Sequence, residues 1–476
     1  MKNTALIALL LLSSFFSFGK SGYKVEVNFP KDINDSVVYL AHFYGKNLPT
    51  IFTVDSAKVS PNKTVVFQKK DAVLGGIYLI VYNHRSKIVE FVLDNGDDFS
   101  IDFKPGKNGS STAVFKNSAE NNRYQAYNAE SEEMGTTNRM LLAKLAMAKT
   151  HDDTAAVTTA FQQLTARQLE QREKYIKQYP NTFLSKVFVS LQSPEVPKGP
   201  HYLEDGKTID SLFDYTYYKA HYWDNFDFKD DRLINTPVYD AKLNDYFSKW
   251  IYQIPDTINA EADKILKATR NSKELFRYTL RTLTANALQS KIMGMDEVFV
   301  YLVEHYYMKG DAYWLSKKDL DWYEDRARKM SPTVLGNTAP ELMMQDVFTL
   351  GDKPLSELKA KYTVVVIWDY DCPVCKKEVP KLDSVYNAIL KNKGVKVYSV
   401  ASGGELDKVQ QFIKDNKIED WTNVADVNNN TGFKEKYDAY STPKIYLLDE
   451  NKKIIGKGLD HSNINTVIEM SEKKKI

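Results

Sequence analysis

The chain has 476 residues, more than one hydrophobic core usually organises, and its 43% hydrophobic and 26% charged composition excludes a largely disordered chain. Its 64 basic and 62 acidic residues leave a net charge of +2, so nothing indicates a nucleic-acid footprint or an acidic substrate. The 30 tyrosines fit strand-rich or amphipathic surfaces and by themselves name no ligand.

Lys2 is followed by "TALIALLLLSSFFSF" and then by the small residues Ser17 and Gly19. A basic start, an apolar core and small residues predict a secretory signal peptide over 1–19. The apolar run is short for a stable membrane anchor. No cysteine lies near the expected cleavage point, so lipid attachment there is not expected. The mature protein is expected to be soluble and exported.

Residues 23–105 read as short strands. "YKVEVNF" alternates, with Val25, Val27 and Phe29 on one face, and "SVVYLAHFY", "TVVFQ", "GIYLIVYN", "IVEFVL" and "DFSIDF" follow between turn signals. This predicts a small antiparallel β sandwich or barrel. His42 and His84 are read as ordinary surface or half-buried histidines.

The period becomes helical over 115–332, as in "MLLAKLAMAK" and "SKELFRYTLRTLTANALQSKIM", with a Pro-rich break at "SPEVPKGP". The aromatic stretch "SLFDYTYYKAHYWDNFDF" is expected to pack between helices. His221, Asp224 and Asp227 within it match no metal-ligand spacing.

Residues 335–476 read as an α/β domain. "YTVVVIW" is a continuous apolar, β-branched run, expected of a strand buried on both faces. Val379, Leu382, Val385, Tyr386 and Ile389 then recur at helical spacing. "VKVYSVAS" is a second buried strand, "ELDKVQQFIKDNK" a helix, "KIYLLDENKKIIGKG" a hairpin, and a last helix begins near Asn463.

Between the first strand and helix lie both cysteines of the chain, Cys372 and Cys375, as one C-x-x-C. A redox dithiol needs one thiol of lowered pKa, because the thiolate attacks. A helix beginning at Cys372 would supply N–H groups to its sulfur, and Pro373 suits the first helical position. Cys375, one turn on and more buried, can then resolve a mixed disulfide. Two other readings stay open. A zinc site would need further ligands. A structural disulfide closing so short a loop would stabilise little.

"WDYDCPVCKKEVPKL" is similar to the active-site segment of the TlpA/ResA-like envelope thiol–disulfide oxidoreductases, which have a thioredoxin fold. Trp368 ahead of the pair, Pro380 in the following helix and "STPKIYLLD" with Pro443 resemble that family's pattern. The resemblance implies that Cys372 is the nucleophile and Cys375 the resolving thiol of a redox-active disulfide, with no other cofactor. It implies proton transfer by Glu378, three residues after Cys375 on the same helix face. It also implies substrate binding by Trp368, Thr442 and a cis-Pro443.

Departures shape the expectation. Val366 stands where cytoplasmic thioredoxins carry a buried aspartate. Asp369 stands where peroxiredoxins carry threonine, which disfavours a peroxidase. Asp371 opposes the Cys372 thiolate whereas Lys376 and Lys377 favour it, leaning the couple toward a reductase. The implied partners are protein thiols or disulfides and an upstream membrane thiol reductant, in the periplasm. The β and helical modules resemble front modules of uncharacterised function that precede secreted thioredoxin domains. The alternative is a periplasmic binding or adaptor protein whose thioredoxin domain serves for docking.

Overall fold

The computed structural model describes residues 21–31, 33–105 and 111–474, so the predicted signal peptide lies outside the described residues. The chain divides into two compact units. One comprises residues up to 250 together with 271–275, and the other 251–270 and 276 onward.

Among the described residues the first unit opens with eight strands: β1 (Tyr23–Asn28), β2 (Val37–His42), β3 (Phe52–Lys58), β4 (Thr64–Lys69), β5 (Gly76–Tyr82), β6 (Lys87–Leu93), β7 (Asp98–Pro105) and β8 (Ser111–Lys116). They form two four-stranded sheets, ordered β4-β1-β7-β8 and β3-β2-β5-β6. Alternation turns Val25 and Val27 of β1, Leu40 of β2, Ile80 of β5 and Ile101 of β7 into one shared core, the expected sandwich. The pairing of β1 with β7 is parallel, the exception in an otherwise antiparallel module.

Helices α1 (Ala119–Met147), α2 (His151–Gln178), α3 (Phe183–Ser190), α4 (Phe213–His221) and α5 (Tyr239–Asp245) follow. Thr150 caps α2 with a reciprocal capping box through Asp153. The aromatic stretch packs as expected, with Trp223 edge-on to Phe226 at 5.6 Å and to Tyr246 at 5.5 Å. His221 bonds Asp224 at 2.6 Å, while Asp227 lies 3.8 Å from Lys186.

Four more helices, α6 (Pro255–Thr269), α7 (Lys273–Gln289), α8 (Asp296–Leu302) and α9 (Lys317–Met330), precede the C-terminal domain. That domain contains β9 (Met343–Asp346), β10 (Asp352–Pro354), β11 (Tyr362–Trp368), α10 (Cys375–Val385), β12 (Val395–Ala401), α11 (Leu406–Asp415), β13 (Thr422–Ala425), α12 (Phe433–Lys436), β14 (Lys444–Leu448), β15 (Ile454–Lys457) and α13 (Ile464–Lys474). Its seven-stranded sheet runs β10-β9-β13-β12-β11-β14-β15. All seven residues of β11 are buried, as its continuous apolar run predicts. Its period of two sends Val364, Val366 and Trp368 to one face, against Val379 and Leu382 of α10. Val365 and Ile367 go to the other, with Tyr398 and Tyr437.

Strand direction positions the site. β11 pairs parallel with β12 and antiparallel with β14, so Ile367, near the end of β11, faces Lys444, the first residue of β14. The residues just after Trp368 and those just before Lys444 therefore meet at one edge of the sheet. β15 is antiparallel to β14, so the loop after Lys457 emerges at that same edge.

Candidate active site

The Thr442–Pro443 peptide bond is cis. The Thr442 carbonyl accepts from the Cys372 thiol at 3.3 Å, and the Cys375 N–H points at the Cys372 sulfur at 3.2 Å. Cys372 is partly exposed and Cys375 buried, both as free thiols, so the expected disulfide is open in this structure. The hydrogen-bonded helix begins at Cys375 rather than at Cys372. The Cys372 carbonyl nevertheless accepts from Lys376 N–H at 3.1 Å, so Cys372 caps the first turn and the N–H donors reach its sulfur from there.

The two thiols are driven apart. Burial pushes the Cys372 thiol up, but hydrogen bonds to its sulfur from the Cys375 and Thr442 side chains and from the Cys375 and Val374 backbone outweigh it. The net direction is below the ordinary thiol value, even with the exposed Asp371 next in sequence. Cys375 goes the other way. Burial pushes it up first, and its bond to Cys372 adds to that. It belongs to a buried apolar cluster that also holds Val366, Trp368 and Val379, surroundings that disfavour charge.

Trp368 corrects an expectation. It is fully buried, its Nε1–H donates to Ser399 Oγ at 2.7 Å, and its ring stacks on Phe412 at 4.5 Å. With no exposed surface it cannot touch a substrate chain. It lies on the face of β11 that packs against α10, in the same buried cluster as Cys375.

Glu378 lies on α10 with its side chain 14% exposed. Its carboxylate accepts from the backbone N–H of His461 at 2.5 Å, and its two oxygens stand 3.0 and 2.9 Å from His461 Nδ1. His461 belongs to the loop that β15 delivers to this edge. The 83 residues between the partners leave no local signal in the chain that joins His461 to the site. Asp460 adds a third group, and one donor atom from each of Glu378, Asp460 and His461 lies within 4.8 Å of the others. Asp460 Oδ1 itself accepts from the Ser462 N–H and hydroxyl at 2.8 and 2.6 Å.

A dithiol at the end of an interior strand, facing a cis X–Pro bond, defines a thioredoxin-fold domain equipped for thiol–disulfide chemistry. Comparison with known proteins agrees. Residues 335–457 match the AhpC/TSA family, while 163–331 and 23–124 match two domains of unknown function, DUF5106 and DUF4369. The thiol-disulfide oxidoreductase ResA of Oceanobacillus iheyensis is 28% identical over 123 residues, which are 25% of this chain and 62% of that protein. ResA of Bacillus subtilis is 28% identical over 121 residues, 25% of this chain and 64% of that protein. The chain thus spans under two thirds of either relative. A solved domain of a possible thiol-disulfide isomerase from Cytophaga hutchinsonii is 40% identical, covering 30% of this chain and 97% of that one, with a TM-score of 0.28. The C-terminal domain of this chain is TlpA/ResA-like.

Proposed function

We propose that the protein is a thiol–disulfide oxidoreductase acting on protein substrates through Cys372 and Cys375. The observation that carries this reading is the geometry of the pair: a partly exposed Cys372 whose sulfur accepts from the Cys375 N–H at 3.2 Å and lies 3.3 Å from the Thr442 carbonyl, ahead of the cis Pro443, with Cys375 buried behind it. In the reductase direction the Cys372 thiolate attacks a substrate disulfide and expels one substrate thiolate. A mixed disulfide forms beside Thr442 and Pro443. Cys375, losing its proton to Glu378, attacks the Cys372 sulfur and expels the second substrate thiolate. Two electrons pass to the substrate, its two thiolates take up protons, and the Cys372–Cys375 disulfide forms. A membrane thiol reductant recharges the pair. The same steps reversed oxidise a substrate.

The lowered Cys372 pKa favours the reduced pair, and so a less reducing couple than Asp371 alone implies. Equilibration with glutathione of known poise measures it. Export to the periplasm by a cleaved signal peptide belongs to the same proposal, and a mature N-terminus just after Gly19 is the expected observation. Among the described residues no helix is long and apolar enough to cross a membrane.

Substrate trapping tests the reading. Cys375→Ala should accumulate mixed disulfides through Cys372 in the cell envelope, and Cys372→Ala should not. Capture of the same proteins by both variants would remove Cys372 as nucleophile.

A second reading, a binding or adaptor protein, draws on a cavity of about 320 Å³ in the first unit, lined by residues including His42, Tyr44, Lys69, Tyr78, Asn235 and Glu274. Disulfide-reductase turnover with a model substrate separates the two. An adaptor shows none, and its pair stays oxidised under strong thiol reductant.

A further inference from the structure

We propose that His461 is a positioning residue for the thiol chemistry: through its backbone N–H and its Nδ1–H it holds the Glu378 carboxylate where that group takes the proton of Cys375. The proposal rests on the reading of Glu378 as proton acceptor and adds the residue that makes that acceptor work.

An ionised carboxylate only accepts hydrogen bonds. With both Glu378 oxygens within 3.0 Å of His461 Nδ1, that nitrogen carries the proton in this pairing and Nε2 is left as the other ring position. A glutamate on an exposed helix face samples several rotamers, and only some of them keep its carboxylate over the preceding turn. Here backbone and ring donors of a single residue grip both oxygens, and the side chain is 14% exposed, with its partner at 28%. A fixed, partly desolvated acceptor on the helix that begins with Cys375 is what a buried thiol with a raised pKa needs in order to ionise.

The neighbouring charges do not take over this task. Asp460 is turned to Ser462, and Lys376 and Lys377 are exposed. The topology explains why His461 can do it. β15 runs parallel to β11, so the loop between β15 and α13 returns to the edge from which α10 departs.

In the balanced step, the proton of the Cys375 thiol moves to a Glu378 oxygen. The Cys375 thiolate forms a bond to Cys372 Sγ while the bond from Cys372 to the substrate sulfur breaks. The substrate leaves as a thiolate and is protonated from solvent, and Glu378 returns its proton to solvent.

Stopped-flow measurement of that resolving step, using the full chain carrying a glutathione mixed disulfide at Cys372 and with EDTA throughout, tests the proposal. Glu378→Gln should slow resolution about 100-fold, the low end for a lost general base. His461→Ala should slow it roughly tenfold, the loss expected when an acceptor held in one position is freed to sample several rotamers. His461→Asn, whose amide nitrogen can stand in for Nδ1, should stay within about twofold of the parent. The double variant E378Q/H461A should match E378Q alone, because His461 acts through Glu378. The H461A rate should also rise more steeply with pH than the parent's, as hydroxide replaces the carboxylate; a purely structural loss lowers the rate evenly. Three results overturn the proposal and leave the Glu378 reading standing: an unchanged H461A, an H461A loss that multiplies onto E378Q, or an H461N as slow as H461A. An unchanged E378Q rejects the Glu378 reading itself, and this proposal with it.

Discussion

The backbone N–H of Cys375 lies 3.2 Å from the sulfur of Cys372. One residue thus stabilises its partner's thiolate with its backbone while its own thiol, facing apolar side chains, resists ionisation. A two-residue spacer at a helix start produces this division of labour, because the first-turn N–H groups point back along the axis toward the preceding residues.

Alkylation should show the difference directly. A thiol whose pKa is lowered is ionised at lower pH, so Cys372 should react at a pH below the ordinary thiol midpoint of about 8.5. Cys375, pushed up, should stay protonated through neutrality. Peptide mass mapping of the reduced protein after brief iodoacetamide treatment at pH 7 should find label on Cys372 alone. Preferential labelling of Cys375 would contradict the assignment.

Trp368 should matter for stability rather than for substrate contact. Truncation to alanine removes a fully buried indole stacked on Phe412 and should cost about 3–5 kcal/mol in urea unfolding. Trp368→Phe keeps most of the stack but leaves the buried Ser399 hydroxyl without its donor, a loss of about 1–3 kcal/mol. Full stability with impaired turnover would restore the substrate-contact reading.

Arg326 on α9 grips Asp438 with a two-pronged fork, at 2.6 and 3.0 Å. Asp438 is 13% exposed, and its other cation, Lys444 at 3.6 Å, directly follows Pro443. Arg326→Ala should cost about 1.5–3 kcal/mol, since it leaves a largely buried carboxylate under-paired. Arg326→Lys, which keeps the charge but not the fork, should recover less than half of that. Chemical denaturation of both variants measures the difference. A neutral Arg326→Ala would show that the pair contributes nothing.

Gly403 follows β12 at the edge where the cysteines sit. A Cβ there would run into the ring of Tyr370, two residues before Cys372. Gly403→Ala should therefore swing Tyr370 away at a cost of about 1–3 kcal/mol and change the alkylation rate of Cys372. An unmoved Tyr370 ring signal in NMR, with unchanged alkylation, would show that the loop absorbs the methyl group elsewhere.

The strands with strong patterns could be read directly. Val25 and Val27 alternate, and "YTVVVIW" is apolar throughout. β3 escaped because no residue of Phe52–Lys58 is buried, so no face pattern exists to detect. β9, β10 and β13, of three or four residues each, are too short for a period to emerge. The helix start was placed three residues early, at Cys372 instead of Cys375, because capping chemistry and the first hydrogen-bonded residue do not coincide.

The parts of the candidate site are local in the chain: a C-x-x-C between a buried strand and an amphipathic helix, with Glu378 one turn on and Thr442–Pro443 ahead of another strand. Those are local signals, set by residue type and spacing. The full burial of Trp368 and the bonds from His461 to Glu378 arise only when the chain is packed. The first depends on which face of β11 packs against α10, and the second on strand directions that bring residues 83 positions apart to one sheet edge. Neither the facing of a fully buried strand nor a contact between distant loops leaves a periodic trace in the chain.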